Sequence, residues 1–307
     1  LTEAAPVSHR IAFVVATKDR PEELGRLWRS LLAQSRPPDE VVIVDAGDRP
    51  EAPISPRPKT TVLKHIPSPV ASATRQRNRG VDAVTPGIDL VGFVDDDAVL
   101  EPDAVAEIVR VFDAFGPELG GAAFNMINHP PLDLAFLKRT PFAEALGLYA
   151  RRNGAVTASG FQTMIGRVEA NAWTDWLPTG AAVWRREIFC GHRFDEWYSG
   201  YSYLEDVDFS YRVGRVYRLA VVASAGYRHL PAAGGRGNGY VFGVREVLNR
   251  VHFVRKYADF SLARCYAALA LRLGLSLILS VREQDASYLA RACGNAVGLA
   301  RAMLAAG

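Results

Sequence analysis

Four strand-like runs, three of them continuously apolar and each followed by a polar cluster, constrain the first third of this chain more than any other feature. Ile11–Ala16 is followed by Thr17-Lys18-Asp19-Arg20-Pro21, and Val41–Val44 by Asp45. Thr61–Ile66 precedes the polar stretch Ser72–Arg79, and Leu90–Val94 ends in Asp95-Asp96-Asp97. Short runs rich in β-formers and lacking alternation read as strands buried on both faces. After the first run, Leu24, Leu27 and Leu31 recur at helical spacing, with Pro21 suited to a first helical turn. Strands alternating with helices imply a parallel sheet, and such sheets bind ligands beyond the carboxyl ends of their strands. All these polar clusters fall at strand ends, so the chain is expected to be an α/β protein with its chemistry on one edge.

Size and charge narrow the partners. At 307 residues and 49% hydrophobic content, the chain can bury one large α/β domain and carry an appendage. The net charge of +3 is spread along the chain with no dense basic run, which speaks against nucleic acid and for a phosphate-bearing small molecule. Cys190, Cys265 and Cys293 are far apart and in no metal-ligand spacing, as expected for free thiols in a reducing, cytoplasmic setting. The opening LTEAAPVSHR lacks the basic-then-apolar pattern of a secretory signal. The most apolar stretch, Leu273–Val281, is bounded by Arg272 and Arg282, shorter than the roughly 20 residues of a spanning helix. No transmembrane segment is therefore expected.

Beyond about residue 115 the rhythm changes to short strands, glycine turns and aromatic residues, among them Trp173, Trp176, Trp184, Trp197, Tyr198, Tyr201 and Tyr203. The division expected is a domain over 1–258, changing character at about residue 115, and a helical extension over 259–307. The pattern from Tyr240 to Tyr257, and again from Ser261, is helical. An apolar helix with scattered Arg fits packing on the core, pairing in a homodimer, or peripheral contact with the inner face of a membrane.

Three clusters carry chemistry. Three adjacent carboxylates at Asp95-Asp96-Asp97 repel one another and call for a cation, and hard divalent ions such as Mg²⁺ or Mn²⁺ are commonly shared between carboxylates and substrate phosphates. The competing reading is a solvated acidic turn ahead of the helix that starts near Pro102. In Tyr203-Leu204-Glu205-Asp206-Val207-Asp208-Phe209, acids interleave with apolar residues, so a short, partly buried helix can aim a carboxylate into a cleft as a general base. Taken alone, such a run is more often an exposed acidic face paired with Arg212 or Arg215. Tyr227-Arg228-His229-Leu230 supplies a histidine able to complete a carboxylate metal site, although a single histidine is more often structural. The glycine-rich segment after it offers Arg236 to phosphates on a closing loop. That segment lacks the spacing of a dinucleotide fingerprint.

In order along the chain, these residues resemble the family 2 glycosyltransferases of the GT-A fold, from about residue 11 to about 257. Thr17-Lys18-Asp19-Arg20-Pro21 is similar to the family's opening T-x-N-R-P-like turn, and Glu40–Asp45 to the strand whose last Asp contacts the base. Arg77-Asn78-Arg79-Gly80 matches an R-N-x-G step, Asp95-Asp96-Asp97 the metal-binding D-x-D, and Thr179-Gly180-Ala181-Ala182 the segment beneath the donor sugar. Glu205-Asp206 resembles the E-D motif, and His229 follows Asp206 by 23 residues, where metal-dependent members carry a histidine. Lys18, Asp19 and Ala46-Gly47-Asp48 depart from the family's usual choices, which bears on the identity of the base more than on the chemistry.

The resemblance implies a GT-A sheet flanked by helices, with a nucleotide-binding half to about 115 and an acceptor-binding half over about 116–258. It implies an inverting, Mg²⁺- or Mn²⁺-dependent transfer from a nucleotide diphosphate sugar to a saccharide or lipid-linked hydroxyl, as in bacterial polysaccharide synthesis. Asp206 would be the base, supported by Glu205 and Asp208. Asp97 and His229 would hold the metal, with Asp95 a further candidate. Thr17, Asp19, Arg20, Asp45, Arg77, Asn78, Asp95, Asp96, Gly180, Ala181 and Arg236 would bind the donor. An Asp facing a ring N3–H suits uracil or thymine, placing UDP first and dTDP second. A sugar-phosphate nucleotidyltransferase would release pyrophosphate instead, and a non-catalytic sugar-nucleotide binder would have no need of a base.

Overall fold

The computed structural model describes residues 9–48, 60–130, 141–145, 147, 150–200, 202–231 and 238–305. Two compact units emerge, one of residues 1–131 and 165–232, the other of 132–164 and 233–307. Helix 239–255, at the end of the first domain expected from sequence, falls in the second unit.

The first unit opens with β1 (Ile11–Thr17), α1 (Pro21–Leu32), β2 (Glu40–Asp45), β3 (Val62–Pro67), α2 (Ala73–Ala83) and β4 (Leu90–Val94). These strands lie parallel in the order β3-β2-β1-β4. Every residue of β2 and β4 is buried, which explains why their sequences do not alternate. Next come β5 (Ala98–Leu100), α3 (Ala104–Phe115) and β6 (Leu119–Met126), then α4 (Pro141–Ala145) of the second unit. The first unit resumes with β7 (Ala172–Trp173), β8 (Ala181–Arg185), α5 (Glu205–Gly214) and β9 (Arg218–His229). Here the sheet becomes mixed. β8 runs antiparallel to β4 and β6, while β9 lies parallel to β6 and antiparallel to β5 and β7.

Alternate residues of β1 feed two cores. Ile11, Phe13 and Val15 pack with Leu27, Trp28 and Phe112, whereas Ala12 and Val14 pack with Phe93, Trp184 and Phe209. The β6–β9 register slips between Phe124 and Asn125. There the Asn125 amide donates to the carbonyls of Val168 (2.8 Å) and Ala223 (3.0 Å), satisfying backbone that the irregularity frees. Beyond the slip, β9 continues to its pairing with β5, and that pairing places His229.

The second unit contains α6 (Gly239–Arg255), α7 (Leu262–Arg282) and α8 (Ala286–Leu304). Asn238, Ser261 and Asp285 cap the three helices by accepting from first-turn N–H groups. Gly243 and Gly294 let α6 and α8 touch backbone to backbone: a Cβ at Gly294 would lie 2.1 Å from the Tyr240 carbonyl oxygen. Buried Glu246 of α6 receives Arg291 (2.6 Å) and Asn295 (3.1 Å) from α8, and Arg272 of α7 lies 3.4 Å away. By length and composition alone α7 is long and apolar enough to cross a membrane, which corrects the expectation that no segment is. Arg272 lies within the helix rather than at its boundary.

Gly92 illustrates how close the packing is, since a Cβ there would sit 2.4 Å from the Phe13 ring. Gly92→Ala is expected to lower stability by about 1–3 kcal/mol. Gly191→Ala, which meets nothing within 4 Å, should stay within about 0.5 kcal/mol of the parent in the same denaturant titration.

Candidate active site

The three aspartates after β4 form a tight turn into β5 and diverge. The backbone N–H of Asp95 continues the β4–β8 pairing onto the Gly180 carbonyl (2.9 Å), and Ala98 N–H closes the turn on the Asp95 carbonyl (3.1 Å). Each carboxylate then finds a different partner.

Asp96 turns inward. It accepts from the Thr17 hydroxyl (2.8 Å) and from Arg20 Nη1 (3.0 Å), tying the β4 turn to the β1–α1 loop. Burial pushes its carboxyl up to about 6, against the lowering effect of Thr17 and Arg20. Asp97 meets His229: Ala98 pairs with His229 across β5 and β9, and Leu230 N–H donates to the Asp97 carbonyl (2.9 Å). His229 Nε2 consequently lies 3.2 Å from Asp97 Oδ1. The Asn128 amide fixes the His229 backbone from the other side, accepting from its N–H (3.0 Å) and donating to its carbonyl (2.7 Å). Tyr227, one alternation before His229, is buried, and both burial and the charges of Asp95 and Asp97 hold its hydroxyl proton more firmly than in water.

Asp95 joins this turn to α5. Buried Arg77 of α2 donates to Asp95 (3.1 Å) and to Glu205 Oε1 (2.8 Å), bridging the strand end and the first turn of α5. Asp206 stands next to Glu205, half-buried, with Oδ1 accepting from Val207 N–H (2.8 Å). Burial raises the proton affinity of both acids; the charge of Asp206 adds to it at Glu205 and that of Asp95 at Asp206, while Arg77 opposes it at both. Leu204, immediately before, has φ 79°, a left-handed conformation rare for a branched side chain that stores about 1–3 kcal/mol of strain where the acids enter the helix. Gly180 approaches Asp95 so closely that a Cβ would stand 2.7 Å from its Oδ2.

A second cluster surrounds the end of β2. Asp45 accepts from Gly47 N–H (2.8 Å), and its other oxygen lies 3.3 Å from His65 Nε2. Asp19, at φ 52°, accepts from Asp48 N–H (3.0 Å). Gln76 donates to the carbonyls of Thr17 (2.9 Å) and Val44 (2.8 Å), locking β1 and β2 to α2.

The structure thus joins Thr17, Arg20, Arg77, Asp95, Asp96, Asp97, Gly180, Glu205, Asp206 and His229 through short contacts in the first unit. Asn78 uses its amide on the backbone of Phe194 (2.9 and 3.0 Å), Ala181 is buried in β8, and Asp208 is buried in α5 within 3.6 Å of Arg212. Arg236 lies outside the described residues. Sequence reasoning missed His65, Asn128, Gln76 and the part played by Tyr227. Only Tyr227 carried a signal, because residues two apart on a strand share a face and His229 was already a candidate.

Among the described residues, no group of three or more His, Cys, Asp or Glu could by itself hold a metal ion. Asp97 and His229 provide one oxygen and one nitrogen side by side, a donor set that fits a hard divalent ion completed by phosphate and water oxygens.

The family model Glycosyl transferase family 2 matches residues 12–168. Among solved structures, the mannosyltransferase PcManGT from Pyrobaculum calidifontis, in complex with GDP-Man and Mn²⁺, is similar at TM-score 0.55 and 16% identity, covering 96% of this chain and 88% of that one. S. aureus TarS 1–349 in complex with UDP-GlcNAc is similar at TM-score 0.52 and 16% identity, covering 92% and 79%. A longer TarS structure gives 0.51 and 16% identity, covering 88% of this chain but 44% of its own length, so the chain spans less than half of that protein. At such identities the likeness shows the fold, a GT-A-like mixed sheet flanked by helices and followed by α6–α8. No curated protein matches in sequence.

Arg77→Met should leave Asp95 and Glu205 without their shared cation. A loss of about 3–5 kcal/mol in urea unfolding is expected, as for removal of one partner from a buried ion pair, with Arg77→Lys intermediate.

Proposed function

The chain belongs to glycosyl transferase family 2, and we propose that it transfers a sugar, with inversion, from a pyrimidine nucleotide diphosphate to a hydroxyl of a saccharide or lipid-linked acceptor. The observation that carries this reading is the Arg77 bridge, which sets Glu205-Asp206 beside the Asp95–Asp97 turn. An acid for the acceptor and an edge for the diphosphate are thereby held in one frame.

Asp206 is the base. Its carboxylate takes the acceptor proton as the acceptor oxygen forms its bond to the anomeric carbon, on the face opposite the diphosphate. The bond from that carbon to the phosphate oxygen breaks, and the nucleoside diphosphate leaves with the electron pair. A carboxylate with raised proton affinity suits this role, because a more basic oxygen accepts the proton more readily. Asp45 and the adjoining Asp19–Gly47 turn receive the base and ribose, with UDP preferred to dTDP. Thr17, Arg20, Asp96 and Gly180 shape the pyrophosphate side.

Asp97 and His229 would hold Mg²⁺ or Mn²⁺, with Asp95 next in reach, and such an ion supplies charge to stabilise the departing diphosphate. PcManGT was solved with Mn²⁺ and GDP-Man, and TarS with UDP-GlcNAc, which supports a sugar nucleotide as the donor class.

Asp206→Asn should keep donor binding, followed by thermal shift, and lose about 10²–10⁴-fold in transfer. For the parent, release of nucleoside diphosphate should rise with pH as Asp206 loses its proton, with the midpoint above the ordinary aspartate range because burial raises it. Near-normal turnover in Asp206→Asn would remove the base from this position, and release of pyrophosphate would replace transfer by nucleotidyl chemistry. His229→Ala and Asp97→Ala should each weaken metal-dependent donor binding by about 10–100-fold. Full activity in excess chelator would discard the metal.

A further inference from the structure

The last long helices of the second unit depart from the usual soluble pattern, α7 most of all. In water a helix buries its apolar stripe and turns its polar residues outward. On α7 the inward positions are Cys265, Ala268, Leu269, Arg272 and Ser276, and Arg272 reaches buried Glu246 (3.4 Å). Between Arg264 and Arg282, every exposed residue of α7 is apolar: Ala267, Ala270, Leu271, Leu277, Ile278 and Val281. Ile278 is 61% exposed and Val281 80%. A Cβ at Gly274, on the same face, would meet nothing within 4 Å. On α8 the buried positions are Ala292, Gly294, Asn295, Gly298 and Ala302, whereas Leu289, Met303 and Leu304 face outward. α7 thus places small and polar residues inside and apolar ones outside, and α8 adds Leu289, Met303 and Leu304 to the exposed surface beside Ser287 and Arg301.

We propose that the outward face of α7 and α8 docks in the plane of an anionic phospholipid surface. Charge favours this occupant. Residues 238–307 hold nine Arg and Lys against four Asp and Glu, so the positive charge of the whole chain is concentrated here. Arg264 and Arg282, both exposed, bracket the apolar stripe along the edge of Leu271 and Ile278, where their heads reach lipid phosphates while the stripe enters the acyl boundary. Arg282 also lies 3.4 Å from the neighbouring Glu283. A second copy of the chain fits less well, because a helix seam flanked by apolar residues lacks the charged e and g positions that set pairing and register. Spanning is disfavoured too, since drawing α7 into a bilayer would carry Arg272 into hydrocarbon and take it from Glu246.

The test is sedimentation of the purified chain with vesicles of phosphatidylcholine containing about one third phosphatidylglycerol, alongside pure phosphatidylcholine and a high-salt wash. Binding to the anionic vesicles, weaker binding to the neutral ones and release by salt are expected. Leu277→Glu with Ile278→Glu should reduce partition at least about tenfold, with circular dichroism and melting unchanged, because both side chains already face outward. Arg264→Glu with Arg282→Glu should lose the preference for anionic lipid. The proposal is overturned if the parent stays in the supernatant, or if the Leu277/Ile278 variant binds as well as the parent. It is equally overturned if light scattering finds a dimer that this variant splits, or if binding resists salt and protects α7 from protease as a span would.

Discussion

Five carboxylates meet at the carboxyl edge of the first unit's sheet, and their mutual repulsion is the constraint that the surrounding structure must answer. Asp95, Asp96 and Asp97 are consecutive, and Glu205 and Asp206 are brought beside them by Arg77. Left in water such a cluster would disperse, and left buried it would take up protons. The fold answers with a partner for each direction: the Arg20 cation for Asp96, the Arg77 cation for Asp95 and Glu205, and the His229 imidazole for Asp97. Strand order, the slip in β9 and the position of α5 all serve that arrangement.

The answer is incomplete, and the shortfall has a direction. Asp96, Glu205 and Asp206 all bind their protons more firmly in the folded chain than in an unfolded one. A group with a raised folded-state value favours folding only while it is protonated; that contribution is lost as pH rises through the folded value. Above those folded values the cluster therefore works against the fold it belongs to, while core packing around Trp28, Trp184 and Phe209 holds the frame. Such residual strain suits a site that waits for a substrate to complete its charge balance, in the way active sites concentrate displaced proton affinities.

Much of the frame was legible because it is local. Buried parallel strands lack alternation, so β1, β2 and β4 could be read from apolar runs alone, and the polar residues at their ends marked the edge where ligands gather. The acids at 95–97 and 205–206 announced themselves by adjacency. What stayed hidden depends on register. His65 reaches Asp45 only because β3 pairs with β2, and Asn128 reaches His229 only because the β6–β9 slip offsets two strands. Arg77 was legible as a residue of interest, but not as a strut, since its two partners come from residues 18 and 128 positions away.

The terminal helices show the same limit in another form. From sequence, α7 is an apolar helix interrupted by arginines, and which side those arginines occupy decides whether its leucines form a core or a surface. Buried Glu246 on α6 settles that question by drawing Arg272 and Arg291 inward, and Gly243 and Gly294 let the backbones close around the ion pairs. Once the polar residues are committed to the interior, the hydrophobic ones have nowhere to go but out. One buried carboxylate thus determines the chemistry of the opposite face, although it touches none of the residues there.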